Sequence, residues 1–344
     1  MKSGYLIVAA HGLGVAVSLG ATYIIIQALG KDPNRAYASL LIESLGGYSA
    51  IAETLVVTTP ILLTGLALIP AFTAKFWNIG AEGQLHMGAI FSTLGVLAVS
   101  GLSPAVGLPV LVLLGFAGGA IWGLIPALLK TRFGANEVIT SLMLTFVAML
   151  ITSHLVATVP PWGIKPPESL QLWSYEIPEH LRIPKLVPGT RLHAGFLIGI
   201  ALVPLMWWIL NFTVLGYGIR AVGSSEKAAR YGGIDTVRTL LMVGMVSGGI
   251  SGLAGMIEIF AVNFHLVDGF SLGFGFTGIV VALLGRQNPY GALMIAILMG
   301  VLTNGGFAMQ RGAGVPVAVV SFFVGSVLAL TVVFETIFRW MRRG

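Results

Sequence analysis

Long runs without charge constrain this chain more than anything else in it. Ten stretches are apolar enough to enter a bilayer, roughly 4–29, 51–73, 79–100, 104–129, 135–158, 194–214, 239–262, 268–285, 288–308 and 315–338. A membrane-crossing helix takes about 20 residues. Only 9% of the 344 residues are charged, against about a quarter in a soluble domain, and mean hydropathy is +0.93. That leaves too little polar surface for life in water. The expected fold class is all-α: a polytopic membrane protein of about ten transmembrane segments, broken helices included. One transmembrane domain is expected over residues 1–344. The opening run 4–29 is long for a signal peptide and shows no clear cleavage site, so it reads as the first span.

The remaining charges suggest an orientation. With an even number of spans both termini share a side. If that side is cytoplasmic, twelve of the 19 Lys and Arg lie inside and seven outside, the sense of the positive-inside bias. The connection 159–193 holds seven of the 16 prolines and is expected outside the cytoplasm. The connection 215–238 carries Arg220, Lys227, Arg230 and Arg238 and is expected inside. The net charge of +6 then belongs to the cytoplasmic ends of membrane helices, and no nucleic-acid partner is expected.

Several chemistries find no support. The chain has no cysteine, which removes disulfides, thiolate metal sites and cysteine nucleophiles. Gly273, Gly275 and Gly278 spell GxGxxG, but no strand precedes them, and Gln287–Asn288 stand where an acid should follow. No GxxxxGK[ST], HxxxH or HExxH occurs. The chain is expected to carry no ATPase site, no metal, no cofactor and no catalytic residue.

Two spans carry glycines four apart, at 115/119/123 and at 244/248/252. That spacing lines one helix face and lets another backbone approach. Pro60 interrupts the second span just after Thr58 and Thr59; those hydroxyls can re-satisfy freed backbone groups or face a ligand. Five glycines break up 268–285, of which only the last ten residues look firmly helical. Four carboxylates sit near membrane depth: Glu53, Glu82, Glu258 and Glu335, the last paired by spacing with Arg339.

The stretch 223–235, GSSEKAARYGGID, reads as a short surface helix. Ser224 or Ser225 can cap it, and Glu226 suits its positive end. Lys227, Ala228, Ala229, Arg230 and Tyr231 form its body, and Gly232–Gly233 end it. It is either a solvated helix or a peg that fits a groove on a cytoplasmic partner.

With this stretch the chain resembles the permease subunits of ATP-binding-cassette (ABC) importers of the branched-chain amino acid/simple sugar class, and most closely the nucleoside type. The resemblance runs over AETLVVTTPILLTGLALIPAF (52–72), FWNIGAEGQLHMGA (76–89), FGANEVITSLML (133–144), PGTRLHAG (188–195), GIRAVGSSEKAARYGGID (218–235) and GFTGIVVALLGRQNPYGAL (275–293). At 143–146 the chain reads MLTF where the family pattern has MLNY, so Thr145 stands where an asparagine amide would. The resemblance implies a permease in a bacterial cytoplasmic (inner) membrane. It implies a second related permease (a heterodimer), a cytoplasmic ABC ATPase and an extracytoplasmic substrate-binding lipoprotein. It further implies nucleosides as cargo, purine nucleosides first, and 224–231 as the helix that couples to the ATPase.

The stretch NIGAEGQLHMG (78–88) packs a carboxylate, an imidazole and two amides between apolar runs. Asn78, Glu82 and His86 are four apart, so on a continuous helix they share a face. Such a face either ties helices together or lines an aqueous path. An uncharged nucleoside needs amide and hydroxyl partners. The candidate pathway residues are therefore Thr58, Thr59, Asn78, Glu82, Gln84, His86 and Thr145. The competing readings are an ABC permease for a simple sugar such as ribose, and an ion-coupled secondary transporter using Glu82 and Glu258.

Overall fold

The computed structural model describes residues 2–341, whose regular elements are helices with no strand among them. Each of the ten apolar stretches holds a helix: α1 (Lys2–Ala28), α3 (Tyr48–Thr73), α4 (Ala81–Val99), α5 (Pro104–Phe133), α6 (Glu137–Ala157), α7 (Gly195–Phe212), α10 (Thr236–Ile257), α11 (Phe274–Leu284), α12 (Pro289–Ala313) and α13 (Val317–Met341). Three more lie in the connections: α2 (Pro33–Leu45), α8 (Val214–Ser224) and α9 (Glu226–Tyr231). A π-helical turn, Glu258–Asn263, continues α10. Among the described residues, six helices are long and apolar enough to cross a membrane: α3, α5, α6, α7, α10 with its π-turn, and α12. The polar opening of α4 lowers its hydropathy. The connection at 215–238 is thus mostly helix, where the sequence suggested a loop around one short peg.

Local chemistry accounts for the boundaries. Asp32 caps α2 by accepting from the Asn34 amide at 2.9 Å, and Pro33 supplies the first helical residue. Asn136 caps α6 through the Val138 amide at 2.9 Å. Asp235 caps α10 through the Arg238 amide at 2.9 Å. Gly134, at φ 67°, closes α5 just after Lys130 and Arg132, whose charges suit the negative end of that helix.

The chain forms two compact units, Thr58–Ile297 and the two ends of the sequence, Met1–Val57 with Leu298–Gly344. In the terminal unit α1 runs along α13. Arg311 there reaches the Glu43 carboxylate at 2.7 Å, and Asn304 donates to Thr54 Oγ1 at 3.0 Å. The side chains of the expected Glu335–Arg339 pair lie outside the described residues.

The central unit is built on α4, α5 and α10. The two glycine rows face each other. A Cβ on Gly119 would lie 2.1 Å from the Gly248 carbonyl oxygen, and one on Gly252 would lie 2.3 Å from that of Gly115. Real Cβ atoms do not come so close, so α5 and α10 touch backbone to backbone and any larger residue forces them apart. Gly88 and Gly255 bring α4 equally close to α10. This rigid three-helix contact positions everything at the start of α4.

Candidate functional site

The polar stretch at 78–88 divides between a turn and a helix. Residues 76–80 are non-helical and α4 begins at Ala81. The single stripe expected for Asn78, Glu82 and His86 therefore does not form: Asn78 lies before the helix, and only Glu82 and His86 share a face. The physical reason is Asn78 itself. Its side-chain oxygen accepts from the Gly80 amide at 3.0 Å and from Gln84 Nε2 at 3.0 Å, and its amide nitrogen donates to Gln84 Oε1 and to Ser247 Oγ, each at 3.0 Å. All four of its hydrogen-bonding positions are used, and the first of these bonds holds the backbone in a turn that competes with helix.

The same turn is clamped from α6. The Glu137 carboxylate accepts from the Trp77 amide at 3.4 Å and from Lys130 Nζ at 2.5 Å, and Ser141 Oγ accepts from the Ile79 amide at 3.1 Å. Lys130 also lies over the Phe76 ring, 5.6 Å from its centroid.

Glu82 is 1% exposed and points at the start of α11. Its Oε2 accepts from the Gly275 amide at 2.6 Å, with the Ser271 hydroxyl and the Gly273 amide as further donors. The broken segment 268–285 resolves into an irregular approach and an eleven-residue half-helix, and Glu82 supplies its N-terminal cap from another helix. A carboxylate suits unpaired amides at the positive end of a helix. Two glycines make room for this. Gly273 holds φ 80°, and a Cβ on Gly275 would lie 2.2 Å from the Glu82 amide nitrogen.

One turn on, His86 lies under Phe270, with ring centroids 4.7 Å apart. Its Nδ1 is 2.8 Å from Thr152 Oγ1, and that hydroxyl donates to the Ala148 carbonyl at 2.9 Å. Thr152 therefore accepts from His86, which places a proton on Nδ1. Nε2 stands 3.9 Å from Glu82 Oε1, beyond hydrogen-bond length.

The other expected pathway residues are buried as well. Thr58 and Thr59 are fully buried and neither is free. Thr145 donates to the Ser141 carbonyl at 3.2 Å, and a Cβ on Gly83 would meet its Cα at 2.6 Å, so α4 and α6 touch there. The structure thus brings Asn78, Glu82, Gln84, His86 and Thr145 together around the start of α4. Ser247, Thr152, Glu137, Ser141 and Ser271 complete the cluster, and none stood out in the sequence. Each sits alone in an apolar or loop stretch, with no spacing that ties it to 78–88.

The short helix α9 has the expected cap: Ser225 Oγ accepts from the Ala228 amide at 3.3 Å. Ser224 instead ends α8 and donates to the Arg220 carbonyl at 2.9 Å. Ala229 is buried, whereas Glu226, Lys227, Ala228 and Arg230 are exposed and Tyr231 is 95% exposed. The residue that stands out from this helix is therefore Tyr231, and Ala229 seats the helix on its own chain. Gly223 packs on the end of α3, where a Cβ would lie 1.8 Å from the Thr73 carbonyl oxygen.

Apolar helices of membrane length, one of them broken to a half-helix that a buried carboxylate caps, define a multi-pass membrane protein. Residues 50–332 match the family described as branched-chain amino acid transport system / permease component, and the chain belongs to that family: it is an ABC transporter permease. It is 34% identical to a glucose ABC transporter permease of Haloferax volcanii, over 95% of this chain and 88% of that one. It is 31% identical to a guanosine ABC transporter permease of Bacillus subtilis, over 92% and 90%, and 32% identical to a nucleoside ABC transporter permease of Lactococcus lactis, over 90% and 86%. Each of the last two organisms has a second, more distant relative of the same description. No solved structure matches the chain. Family membership removes the ion-coupled secondary transporter from consideration.

Proposed function

We propose that this permease carries nucleosides, purine nucleosides first, into the cell across a bacterial cytoplasmic membrane. It works beside a second related permease and is driven by a cytoplasmic ABC ATPase that grips α9. An external lipoprotein delivers the cargo on the side of the 159–193 loop. The observation that carries this reading is the fully bonded Glu82. Both carboxylates of the cluster are already matched, Glu82 to the half-helix α11 and Glu137 to Lys130 and the Trp77 amide, which leaves amides and hydroxyls for an uncharged cargo. Two of the three relatives above are guanosine or nucleoside permeases. The glucose permease relative keeps a simple sugar such as ribose as the second reading, because a sugar is equally uncharged.

Asn78, Glu82, Gln84, His86 and Thr145, with Thr58 and Thr59, then form a closed section of the pathway. Their donors and acceptors satisfy one another here, and opening exchanges some of those bonds for water or cargo. The drive reaches them along α10. Arg230 of α9 donates to Thr236 in the first turn of α10 at 3.3 Å, and Ser247 on the same helix accepts from Asn78. Movement of the peg is thereby delivered to the turn before α4.

The test is the complete importer in vesicles, with ATPase activity measured against purine nucleosides, pyrimidine nucleosides, ribose and glucose. Purine nucleosides give the largest stimulation. Stimulation by ribose or glucose alone replaces the nucleoside reading with the sugar one. Tyr231→Ala removes the exposed aromatic of α9, and an interface anchor of that kind is worth about 2 kcal/mol or more. It lowers ATPase association and transport while the protein still inserts. Full coupling in that variant removes α9 from the contact.

A further inference from the structure

The segment between the π-turn and the half-helix carries a carboxylate that the cluster does not use. This segment leaves the 159–193 loop where Trp173 pairs with Val267 as an isolated antiparallel bridge. It ends at Ser271 and Gly273, whose donors meet Glu82. Asp268 directly follows the bridge, and Gly269, at φ 68°, turns the chain after it. Ser153 of α6 donates to Asp268 Oδ1 at 2.6 Å. Ser153 is four residues before Ala157, the last residue of α6, so this contact lies about 6 Å below the loop end of a membrane helix.

Asp268 differs from Glu82, Glu137 and Glu258. Those three are buried, and each accepts from a neighbouring donor. Asp268 is exposed, and among the described residues nothing donates to its Oδ2. An exposed carboxylate within a membrane span does not face lipid; it faces a water-filled space or a partner. Leu272 and Phe276, 58% and 37% exposed, add apolar surface to the same segment. Phe270, two residues after Asp268, covers His86, and Asp268 is near enough for its charge to act on that ring. The open oxygen therefore stands next to the saturated cluster, on its loop side.

What this oxygen lacks is a donor. A carboxylate only accepts, at about four positions, and Ser153 fills one. An anionic ligand is repelled. A metal ion calls for further ligands, and no group of three metal-binding side chains forms among the described residues. Two adjacent O–H groups fit, because a vicinal diol donates to both oxygens of one carboxylate through charge-assisted bonds. An acid grips the ribose hydroxyl of a dinucleotide in the same manner. Nucleosides and simple sugars, the two cargo readings above, both carry such a diol.

We propose that Asp268 is a specificity-determining residue of the permease: its carboxylate binds the vicinal hydroxyls of the cargo on the loop side of the cluster, and Ser153 holds it in place. The proposal rests on the reading of the cargo as an uncharged nucleoside or sugar, and it names the group by which the permease itself recognises that cargo. The contact is one step from the gate, since Phe270 lies between Asp268 and the half-helix in the chain and covers His86.

The experiment uses the complete importer in vesicles, with each cargo at a concentration that saturates the external lipoprotein, so that discrimination by the lipoprotein drops out. Uptake of guanosine and adenosine, which share the diol, is compared with that of 2′-deoxyguanosine, which keeps the guanine and loses the diol. The wild type prefers both ribonucleosides about tenfold. Asp268→Asn still accepts from Ser153 but offers the diol one acceptor in place of two, and the preference falls to about twofold or less. The ratio is internal to each preparation, so a lower yield of folded protein leaves it unchanged. Asp268→Cys tests access. The chain has no other cysteine, and the new thiol reacts with an impermeant maleimide unless guanosine protects it. No preference in the wild type overturns the proposal, as does an unchanged preference in Asp268→Asn or one that follows the guanine rather than the diol. So does an unreactive Asp268→Cys thiol in the assembled importer, because the site is then a protein contact. If ribose or glucose is carried and nucleosides are not, the nucleoside reading fails by itself. Asp268→Asn then decides the diol contact: a loss of about tenfold in sugar uptake supports it, and wild-type uptake overturns it.

Discussion

The two ends of α4 are built on opposite terms. At its start, Glu82, Gln84 and His86 are almost completely buried, and each has a partner in the turn before the helix, in α6 or in α11. Near its far end a single hydroxyl, Thr93, is buried with no partner at all. The number of polar groups does not separate a closed site from an open one. What separates them is whether the protein itself supplies every donor and acceptor. A saturated cluster resists change and can serve as a gate with two alternative sets of bonds. An unsaturated group in an apolar wall is a cost that the fold leaves standing.

Substitutions test that contrast in order of size. Glu82→Leu removes the carboxylate and leaves the Gly275 and Gly273 amides and the Ser271 hydroxyl unmatched in an apolar site. The expected loss is about 3 kcal/mol or more, read as failure to assemble or a sharp fall in melting temperature in detergent. Assembly at wild-type yield would show that the half-helix is held by packing alone. Asn78→Ala breaks four hydrogen bonds in one step and leaves Gln84 buried and unpaired. A loss of about 2 kcal/mol is expected, and adding Gln84→Met restores part of it. Simple additivity of the two would mean that the amide pair contributes nothing as a unit.

Glu82→Gln is milder. The side-chain oxygen still accepts from Gly275, and the new amide faces His86 Nε2, which has no proton while Nδ1 carries one. The lost charge at the end of the half-helix costs about 1 kcal/mol, so assembly and much of the transport survive. Abolished uptake with normal assembly would place the carboxylate in the pathway itself. Thr93→Val has the smallest effect on the protein alone. In detergent its stability equals that of wild type or exceeds it by about 1 kcal/mol, since no internal bond is lost and an unpartnered buried hydroxyl is removed. A loss of about 1 kcal/mol or more would reveal an internal partner and close the contrast between the two ends.

Much of this arrangement was legible in residue order, for local reasons. Apolar runs of bilayer length require helices, because no other local structure satisfies the backbone in lipid. All ten stretches are helical, and the interruption of 268–285 showed in its glycines. Glycines four apart marked α5 and α10 as faces of close contact, and Ser224 or Ser225 with Glu226 marked the start of α9 to within a residue. Each of these signals depends only on neighbours within a turn or two. The family resemblance was equally legible, because its motifs are contiguous.

Tertiary structure alone decided the partners. Spacing put Asn78 on a stripe with Glu82 and His86, yet its bonds to Gly80, Gln84 and Ser247 hold it in a turn before the helix. Ser247 is 169 residues away in sequence, and no local pattern announces it. The sequence offers Ala228, Ala229 and Tyr231 alike as apolar residues of the peg, and small apolar residues suit burial against one's own chain as well as against a partner. Only the packing of α9 turns Ala229 inward and Tyr231 out. Glu82 shows the division most plainly. Its position beside a broken helix cannot be read from residues 82 and 275, which lie 193 apart. It follows from a backbone contact between α4 and α11 that exists only where Gly275 has no side chain. Sequence determines what each segment needs, namely burial, a cap or a turn, because those needs are short-ranged. Which distant group meets the need is set by close packing, and that is a property of the folded whole.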